Sequence, residues 1–214
     1  MDIDFIERLE RRLILDLPGR PAHLQMAPNP GRITEAYFEV KPDAREASVL
    51  ILLYPKENTW HVALIQRTML NKNDPHAGQL SLPGGKIEET DDSYEDCALR
   101  EAQEEIGIDP VDVAILGQLS SLYVYVSNFL VFPFVGFTNQ EQNFSPQPSE
   151  VDLIHEVPME VFAYDKFRSR KDLVVRGNTF KDVPFFDVKG DVLWGATAMI
   201  LSEFGEVIKP IIKE

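Results

Sequence analysis

Two apolar segments separated by a short turn constrain the fold of this chain more than any other feature. The segments are ASVLILLYP (47–55) and WHVALIQR (60–67), and the turn-like sequence PKENT joins them. Apolar, β-branched runs of this length around a turn predict a pair of β-strands. Further strand-like runs follow and alternate with helical ones, so the sequence predicts a mixed sheet packed between helices.

The remaining elements are predicted from periodicity and turn residues. Residues 2–16 have an amphipathic helical pattern, residues 17–32 are rich in Pro and Gly and predict a loop, and residues 194–211 predict a C-terminal helix. Further strands are predicted at 113–126, 128–138, 150–158, 172–177 and 183–188, with a short helix at 159–167 and a polar loop at 138–150.

Composition bounds the class of protein. The chain has 214 residues, of which 44% are hydrophobic, and this suits one domain over 1–214 with an N-terminal helical extension of about residues 1–30. The formal charge of −14 argues against nucleic-acid polymers and anionic membranes as partners. A single cysteine, the lack of a signal-peptide pattern and the lack of a long apolar run predict a cytoplasmic protein.

The segment REAQEEIG (100–107) carries three glutamates within five positions: Glu101, Glu104 and Glu105. Ser93–Ile106 predicts a helix, because Ser93 with Asp96, or Asp92 with Glu95, resembles a capping box and Gly107 suits its C-terminal end. The three carboxylates then share one face near the negative end of the helix dipole, where local folding physics disfavours them. A bound cation would account for the cluster.

A Gly-Gly turn, Gly84–Gly85, precedes this helix and exposes backbone carbonyls. Hard cations such as Mg²⁺ take carboxylate and carbonyl oxygens together with substrate phosphates. The predicted metal ligands are therefore Glu101, Glu104 and Glu105, with a backbone carbonyl from Gly84 or Gly85, of which Gly85 is taken as the ligand, for Mg²⁺ or Mn²⁺. Arg100 is placed to pair with a nearby carboxylate and orient it.

The segment from Gly85 to Ile108 resembles the Nudix box, G-x5-E-x7-R-E-U-x-E-E-x-G-U, in which U is a bulky aliphatic residue. The matching positions are Gly85, Arg100, Glu101, Glu104, Glu105, Gly107 and Ile108. The first acid of the box is Asp91 instead of Glu, eight residues separate it from Arg100, and Ala102 is smaller than usual. In the family this acid orients the arginine, and both Asp91 and Asp92 are candidates for that part.

With these departures, the segment resembles the coenzyme A pyrophosphatases of the Nudix superfamily. Those enzymes also carry an upstream signature, R-S/T…H-x-G-Q-x-x-F-P-G-G. The matching positions are Arg67, Thr68, His76, Gly78, Gln79, Pro83, Gly84 and Gly85. Leu82 replaces the usual Phe, and residues 73–75 (Asn-Asp-Pro) stand where a basic run is expected. The resemblance covers roughly residues 30–205.

The resemblance implies an α/β fold, an α/β/α sandwich with a mixed sheet, and metal-dependent hydrolysis of the diphosphate of coenzyme A or its derivatives. It implies that Glu104 and Glu105 bind metal and that Glu101 is a ligand or the base. It also implies a further carboxylate from outside the box, for which Glu150 is the candidate. Substrate contact is assigned to Arg67, His76 and Gln79, and dimerisation is compatible with the fold.

Two alternatives stay open. The first keeps the chemistry and changes the substrate to ADP-ribose, a dinucleoside polyphosphate or a damaged nucleotide. The second is a non-catalytic nucleotide-binding regulator, which the retention of all three glutamates disfavours. Cys97 is predicted to be a small buried residue, and His23, His61 and His155 lack the spacing of metal ligands.

Overall fold

The computed structural model describes residues 3–28, 38–70, 76–175 and 177–212. The helices are α1 (Ile3–Leu13), α2 (Arg20–Gln25), α3 (Tyr94–Ile106) and α4 (Gly195–Ile208). The strands are β1 (Arg45–Lys56), β2 (Thr59–Arg67), β3 (Leu80–Ser81), β4 (Gly84–Lys86), β5 (Ala114–Gln118), β6 (Leu122–Val124), β7 (Phe129–Phe137), β8 (Val151–Pro158), β9 (Arg168–Val175), β10 (Asn178–Val188) and β11 (Asp191–Leu193). Within these ranges no helix is long and apolar enough to cross a membrane.

The predicted strand pair forms the centre of a mixed sheet. Strands β1 and β2 are antiparallel around the turn, and residues 45–53 of β1 pair in parallel with the whole of β7. Away from the turn, β3 pairs with β2 and β4 pairs with β1, so the segment 80–86 lies where the two long strands separate. β8 covers the other edge of β2. This arrangement places the Gly-Gly segment inside the sheet.

The sheet is covered on both faces, which confirms the predicted α/β/α sandwich. Leu50, Leu52 and Tyr54 alternate along β1 and pack with α3, whereas Ile51 and Leu53 pack in the core formed with α1 and α4. Successive side chains of a strand point to opposite faces, so this apolar run serves two cores at once. Strands β9, β10 and β11 form a separate antiparallel sheet.

The predicted N-terminal helix is confirmed, and its residues Phe5, Ile6, Leu9 and Leu13 are buried. The prediction of a loop for the following segment was wrong in part, because residues 20–25 form α2. This helix of six residues is too short to be stable by itself. It depends on tertiary contacts with α4 that local sequence does not reveal.

A buried carboxylate, Glu203 on α4, joins the N-terminal segment to the core. It accepts hydrogen bonds from the backbone of Gly19 (2.8 Å), the hydroxyl of Ser120 (2.6 Å) and the backbone of Ser120 (3.2 Å). His23 Nε2 lies 2.9 Å from Glu203 Oε2. Burial alone would raise the pKa of Glu203, but the hydrogen bonds from His23 and Ser120 hold it below its ordinary value. His23 is therefore a structural residue.

We expect Glu203→Gln to lower the free energy of unfolding by about 2 kcal/mol, because buried donors lose their acceptor. The folded-state pKa lies below the ordinary value of 4.5. This contribution is therefore present above that pH and is lost as the pH falls through the folded pKa. Urea unfolding at a series of pH values measures it. The exposed Glu10→Gln is the control, and a wild-type and variant difference that stays constant into acid would contradict the assignment.

Two further element predictions were wrong in detail. The predicted strand at 113–126 is divided into β5 and β6, because the backbone N–H and hydroxyl of Ser120 donate to Glu203 and not to a neighbouring strand. The predicted short helix at 159–167 consists of two 3-10 turns, Met159–Phe162 and Asp165–Phe167. Both differences arise from contacts with distant residues.

Candidate active site

Helix α3 presents the glutamate cluster and begins and ends where the sequence predicts. Ser93 caps it, since its hydroxyl accepts from the backbone N–H of Asp96 at 3.1 Å. Gly107 has φ +73° and donates its N–H to the carbonyl of Gln103, the left-handed end that glycine favours. These two ends set the register of Glu101, Glu104 and Glu105 relative to the sheet.

The Gly-Gly segment forms β4 and lies directly beside two of the glutamates. The backbone N–H of Gly84 donates to Glu105 Oε2 at 2.9 Å. A Cβ atom on Gly85 would overlap the carboxylate of Glu101. Glycine at 85 therefore allows that carboxylate to approach the backbone closely. Cys97 Sγ lies 3.7 Å from the Gly85 carbonyl, and Cys97 is fully buried as predicted.

Glu105 is a buried acid with a strongly perturbed pKa. Its side chain is 2% exposed, and Arg67 Nη1 lies 3.7 Å from its Oε1. Burial raises the pKa of Glu105 to about 8, although the Gly84 N–H and the Arg67 charge act in the opposite direction. Burial likewise raises the pKa of the half-buried Glu101. Buried carboxylates of this kind are stabilised as anions by a cation, and they are common at functional sites.

Arg100 organises the exposed side of the cluster. Its Nε donates to Asp91 Oδ1 at 2.7 Å and its Nη2 to Asp91 Oδ2 at 3.0 Å, a bidentate pair. Its Nη1 donates to Glu101 at 3.0 Å and lies 3.4 Å from Glu104. The hydrogen bonds from Arg100 lower the pKa of Asp91 to about 2. Of the two candidates Asp91 and Asp92, the structure pairs Asp91 with the arginine.

We expect Asp91→Asn to lower kcat roughly tenfold, because Arg100 loses its bidentate partner and the Glu101 carboxylate that it orients becomes misplaced. The matched control is Asp92→Asn, one residue away, which we expect to keep wild-type activity. Steady-state kinetics with the substrate proposed below checks both variants. Equal losses in the two variants would contradict the role of Asp91.

Glu150 lies directly before β8, near the cluster. Its side chain is exposed, and its charge is among the groups that raise the pKa of Glu101 and Glu105. Its carbonyl accepts from Thr68 N–H at 2.8 Å, and its N–H donates to the carbonyl of Gln147. Glu150 is therefore within electrostatic reach of both acids, and its chemical role stays a prediction.

The loop at 138–150 braces the end of α3, a feature that sequence reasoning missed. The backbone N–H groups of Ser145 and Gln147 donate to the carbonyls of Ile106 and Glu105, each at 3.0 Å. These carbonyls have no partner inside the helix. Because the contacts are made by backbone atoms, the side chains of this polar segment carry no signal of them. The loop connects Glu105 to Glu150 through Gln147.

The upstream residues predicted to contact substrate are joined by backbone hydrogen bonds. The N–H of Arg67 donates to the Gln79 carbonyl at 3.0 Å, and the N–H of Gly78 donates to the Arg67 carbonyl at 2.9 Å. His76 Nδ1 lies 3.1 Å from Gln79 Oε1. The three residues thus lie together beside Glu105, and their contact with substrate stays a prediction. The segment 73–75 lies outside the described residues.

The predicted metal ligands are carboxylate and carbonyl oxygens, and side-chain cations and a backbone N–H of the protein contact the carboxylates. In the described part of the chain, no three acidic, histidine or cysteine side chains surround one point. Arg100 holds Glu101 and Glu104, whereas Glu105 is bonded to Gly84. The donors are carboxylate oxygens on a rigid helix beside a glycine backbone, and this set fits Mg²⁺ or Mn²⁺.

Comparison with known proteins identifies the family. The family model described as the NUDIX domain matches residues 44–177. The chain belongs to the NUDIX domain family. The matched part of this Nudix chain contains β1 to β9, α3 and the whole glutamate cluster, whereas α1, α2 and α4 lie outside it.

Curated relatives support this membership over different lengths. Nudix hydrolase 15, mitochondrial, of Arabidopsis thaliana is 35% identical over 166 residues, which are 73% of this chain and 56% of that protein. Nudix hydrolase NudL of Pectobacterium atrosepticum is 34% identical over 204 residues, 94% of this chain and 91% of that protein. The peroxisomal coenzyme A diphosphatase NUDT7 of Mus musculus is 32% identical over 133 residues, 62% of this chain and 55% of that protein. The chain thus spans little more than half of two of these relatives. Because their names include several compartments, cytoplasmic location stays a prediction.

Proposed function

We propose that this Nudix chain hydrolyses the diphosphate of coenzyme A or its derivatives, with a divalent metal ion, to 3′,5′-ADP and (acyl-)4′-phosphopantetheine. One observation carries the proposal. Within a NUDIX domain, the carboxylates of Glu101 and Glu105 lie against the Gly84–Gly85 backbone, and Arg100 links Glu104 to Glu101. This is an oxygen-rich site for cations, and a diphosphate needs cations to be bound and cleaved.

The residues have two proposed roles: some would bind the metal ion, and others orient the metal ligands or contact the substrate. Glu101, Glu104, Glu105 and the Gly85 carbonyl would hold Mg²⁺ or Mn²⁺, and a metal there would neutralise the diphosphate and activate water. Arg100 orients Glu101 through its pair with Asp91. Arg67, whose Nη1 lies 3.7 Å from Glu105 Oε1, would contact the anionic substrate. Glu150 is the exposed carboxylate that we assign as a base, since it lies at the site without an ion pair to a described arginine or lysine side chain.

The choice of coenzyme A over other diphosphates is supported by two observations. The His76–Gln79 segment matches the upstream signature of the coenzyme A pyrophosphatases, and it lies against Arg67 beside the glutamates. The murine relative is itself named a coenzyme A diphosphatase. The Asn-Asp-Pro sequence at 73–75 replaces the basic run of that signature, so the first experiment compares coenzyme A with other diphosphates.

The first experiment incubates the protein with Mg²⁺ or Mn²⁺ and a panel of substrates: coenzyme A, ADP-ribose, a diadenosine polyphosphate and 8-oxo-dGTP. Products are separated by chromatography. We expect 3′,5′-ADP from coenzyme A. If coenzyme A stays intact and another diphosphate is cut, the chemistry stands and the substrate assignment is wrong. If nothing is cut with either metal, hydrolysis is wrong and a nucleotide-binding regulator takes its place.

A pair of variants on α3 tests whether the proposed metal site is responsible for the hydrolysis. Glu104→Gln removes a proposed ligand and should lower kcat roughly 1000-fold, a change of about 4 kcal/mol in the barrier. Glu95→Gln removes another exposed charge nine residues earlier, on the opposite side of the same helix, and should leave kcat unchanged. Similar kinetics for the two variants would exclude Glu104 as a ligand.

A further inference from the structure

Ser48 is a buried serine of β1 to which neither the fold nor the proposed mechanism has given a role. Its exposed fraction is 0%, and its hydroxyl has no hydrogen-bond partner among the residues that the structure describes. Buried polar side chains are nearly always hydrogen-bonded, so a buried hydroxyl without a partner is a candidate for a functional role. The position of Ser48 in the sheet indicates which role.

The sheet register places the side chain of Ser48 on the face of the sheet that α3 covers. Ser48 lies two residues before Leu50, which packs with α3, and residues two apart along a strand share a face. Ser48 is also the register partner of Phe132 on β7. The ring of Phe132 stacks on that of Tyr94, the first residue of α3, with 3.9 Å between the ring centres. Both neighbours therefore place Ser48 beneath α3.

The carboxylate of Glu101 lies beside Ser48 on this face. Ser48 is directly opposite Gly85 in the antiparallel pair of β1 and β4. The Cβ positions of two residues paired in this way are about 5 Å apart. A Cβ on Gly85 would overlap the carboxylate of Glu101, so that carboxylate lies roughly 5 Å from the Cβ of Ser48. Rotation of either side chain can bring the hydroxyl and the carboxylate to hydrogen-bond distance.

A serine hydroxyl has the chemistry that a metal-binding carboxylate needs from a neighbour. In this structure Arg100 Nη1 donates to Glu101 Oε1 at 3.0 Å. A guanidinium carries a charge that competes with a metal ion for the same carboxylate, whereas a hydroxyl donates a hydrogen bond without adding charge. Carboxylates that bind metal ions are themselves held by hydrogen bonds from surrounding residues. Ser48 is therefore suited to hold one oxygen of Glu101 while the other binds an ion.

We propose that Ser48 is a positioning residue of the metal site: its hydroxyl donates to the Glu101 carboxylate when that carboxylate turns from Arg100 to a bound Mg²⁺ or Mn²⁺. The proposal rests on the proposed function, because it assigns a residue that supports a ligand of the same site. It accounts for a buried hydroxyl that has no partner while Arg100 holds Glu101. Hydrogen bonds to metal ligands contribute roughly 10–100-fold to metal affinity, and we expect an effect of that size.

The test is calorimetric titration of the protein with Mn²⁺ in the absence of substrate, with thermal unfolding to check that each variant is folded. Ser48→Ala and Ser48→Cys should both bind Mn²⁺ roughly 10–100-fold more weakly than wild type, at nearly unchanged melting temperature. Cysteine keeps the approximate size of the side chain but is a weak donor, so it separates the hydrogen bond from a packing effect. The control Ser202→Ala removes another fully buried hydroxyl without a described partner, on α4, and should bind Mn²⁺ as wild type does.

The outcomes separate this role from the proposed hydrolysis. Wild-type Mn²⁺ affinity in both Ser48 variants would overturn the positioning role, whether or not the melting temperature falls. Weaker binding in Ser48→Ala alone would assign the effect to a cavity and overturn the hydrogen bond. If the expected differences in Mn²⁺ affinity are found but no diphosphate is cut, only the proposed hydrolysis is wrong. If the wild-type protein binds no Mn²⁺, both proposals are wrong.

Discussion

Gly85→Ala should lower kcat roughly 100-fold while the protein stays folded, because a small misplacement of catalytic groups is enough for a loss of that size. The added Cβ would overlap the carboxylate of Glu101. That carboxylate ends a flexible side chain, so it moves away and the overlap costs little stability. It then no longer lies where we propose that it binds metal. Steady-state kinetics and Mn²⁺ titration measure the two parts of this effect.

Gly84→Ala is the matched contrast for this prediction. A Cβ at that position would overlap the carbonyl of Ser48 and the backbone of Val49, and Gly84 has φ +152°. Backbone atoms cannot move away as easily as the end of a side chain, so we expect the main effect of this variant to be a loss of stability. Wild-type kcat in a folded Gly85→Ala protein would show that the approach of Glu101 to the backbone is unimportant for catalysis.

Gly205→Ala should lower the free energy of unfolding by about 3 kcal/mol, the upper part of the usual range for overpacking. Gly205 lies inside α4, where alanine is by itself the better helix former by about 1 kcal/mol. The added Cβ would, however, overlap the carbonyl oxygen of Phe162, which belongs to the backbone of a packed 3-10 turn. For a chain of this size the melting temperature should fall by roughly 6–12 °C.

Ser202→Ala is the control on the same helix. Ser202 is buried, and its hydroxyl has no hydrogen-bond partner within the described ranges. Removing an unsatisfied buried hydroxyl should leave stability unchanged or raise it slightly. Calorimetric melting compares the two variants, and kcat per folded molecule should be normal in both because α4 is distant from the glutamates. A melting temperature of Gly205→Ala equal to that of wild type would show that the turn can move away.

Much of the candidate site could be predicted from the sequence because it depends on residues that are close together along the chain. Ser93 and Gly107 define the ends of α3, and the spacing of Glu101, Glu104 and Glu105 then follows from helical geometry. The sequence left Asp91 and Asp92 open, since adjacent acids in a turn are equivalent by composition. Only the folded chain shows that the Arg100 guanidinium meets Asp91 on both oxygens.

Contacts between distant segments were the part that the sequence could not predict. Glu203 and Ser120 are 83 residues apart, and their hydrogen bonds divide one predicted strand into β5 and β6. His23 and Glu203 are 180 residues apart, and His23, which contacts Glu203, belongs to the short helix α2. Residues of these types occur in any polar loop, so nothing in the local sequence distinguishes them.

Periodicity and spacing within a few turns of chain were enough to predict the strand pair, the capped helix, the glutamate face and the family resemblance. Only the folded chain shows which aspartate holds Arg100 and how the loop at 138–150 braces α3. These depend on sheet register and on backbone groups that approach across long sequence separations, and such contacts form only when the two cores pack around the sheet.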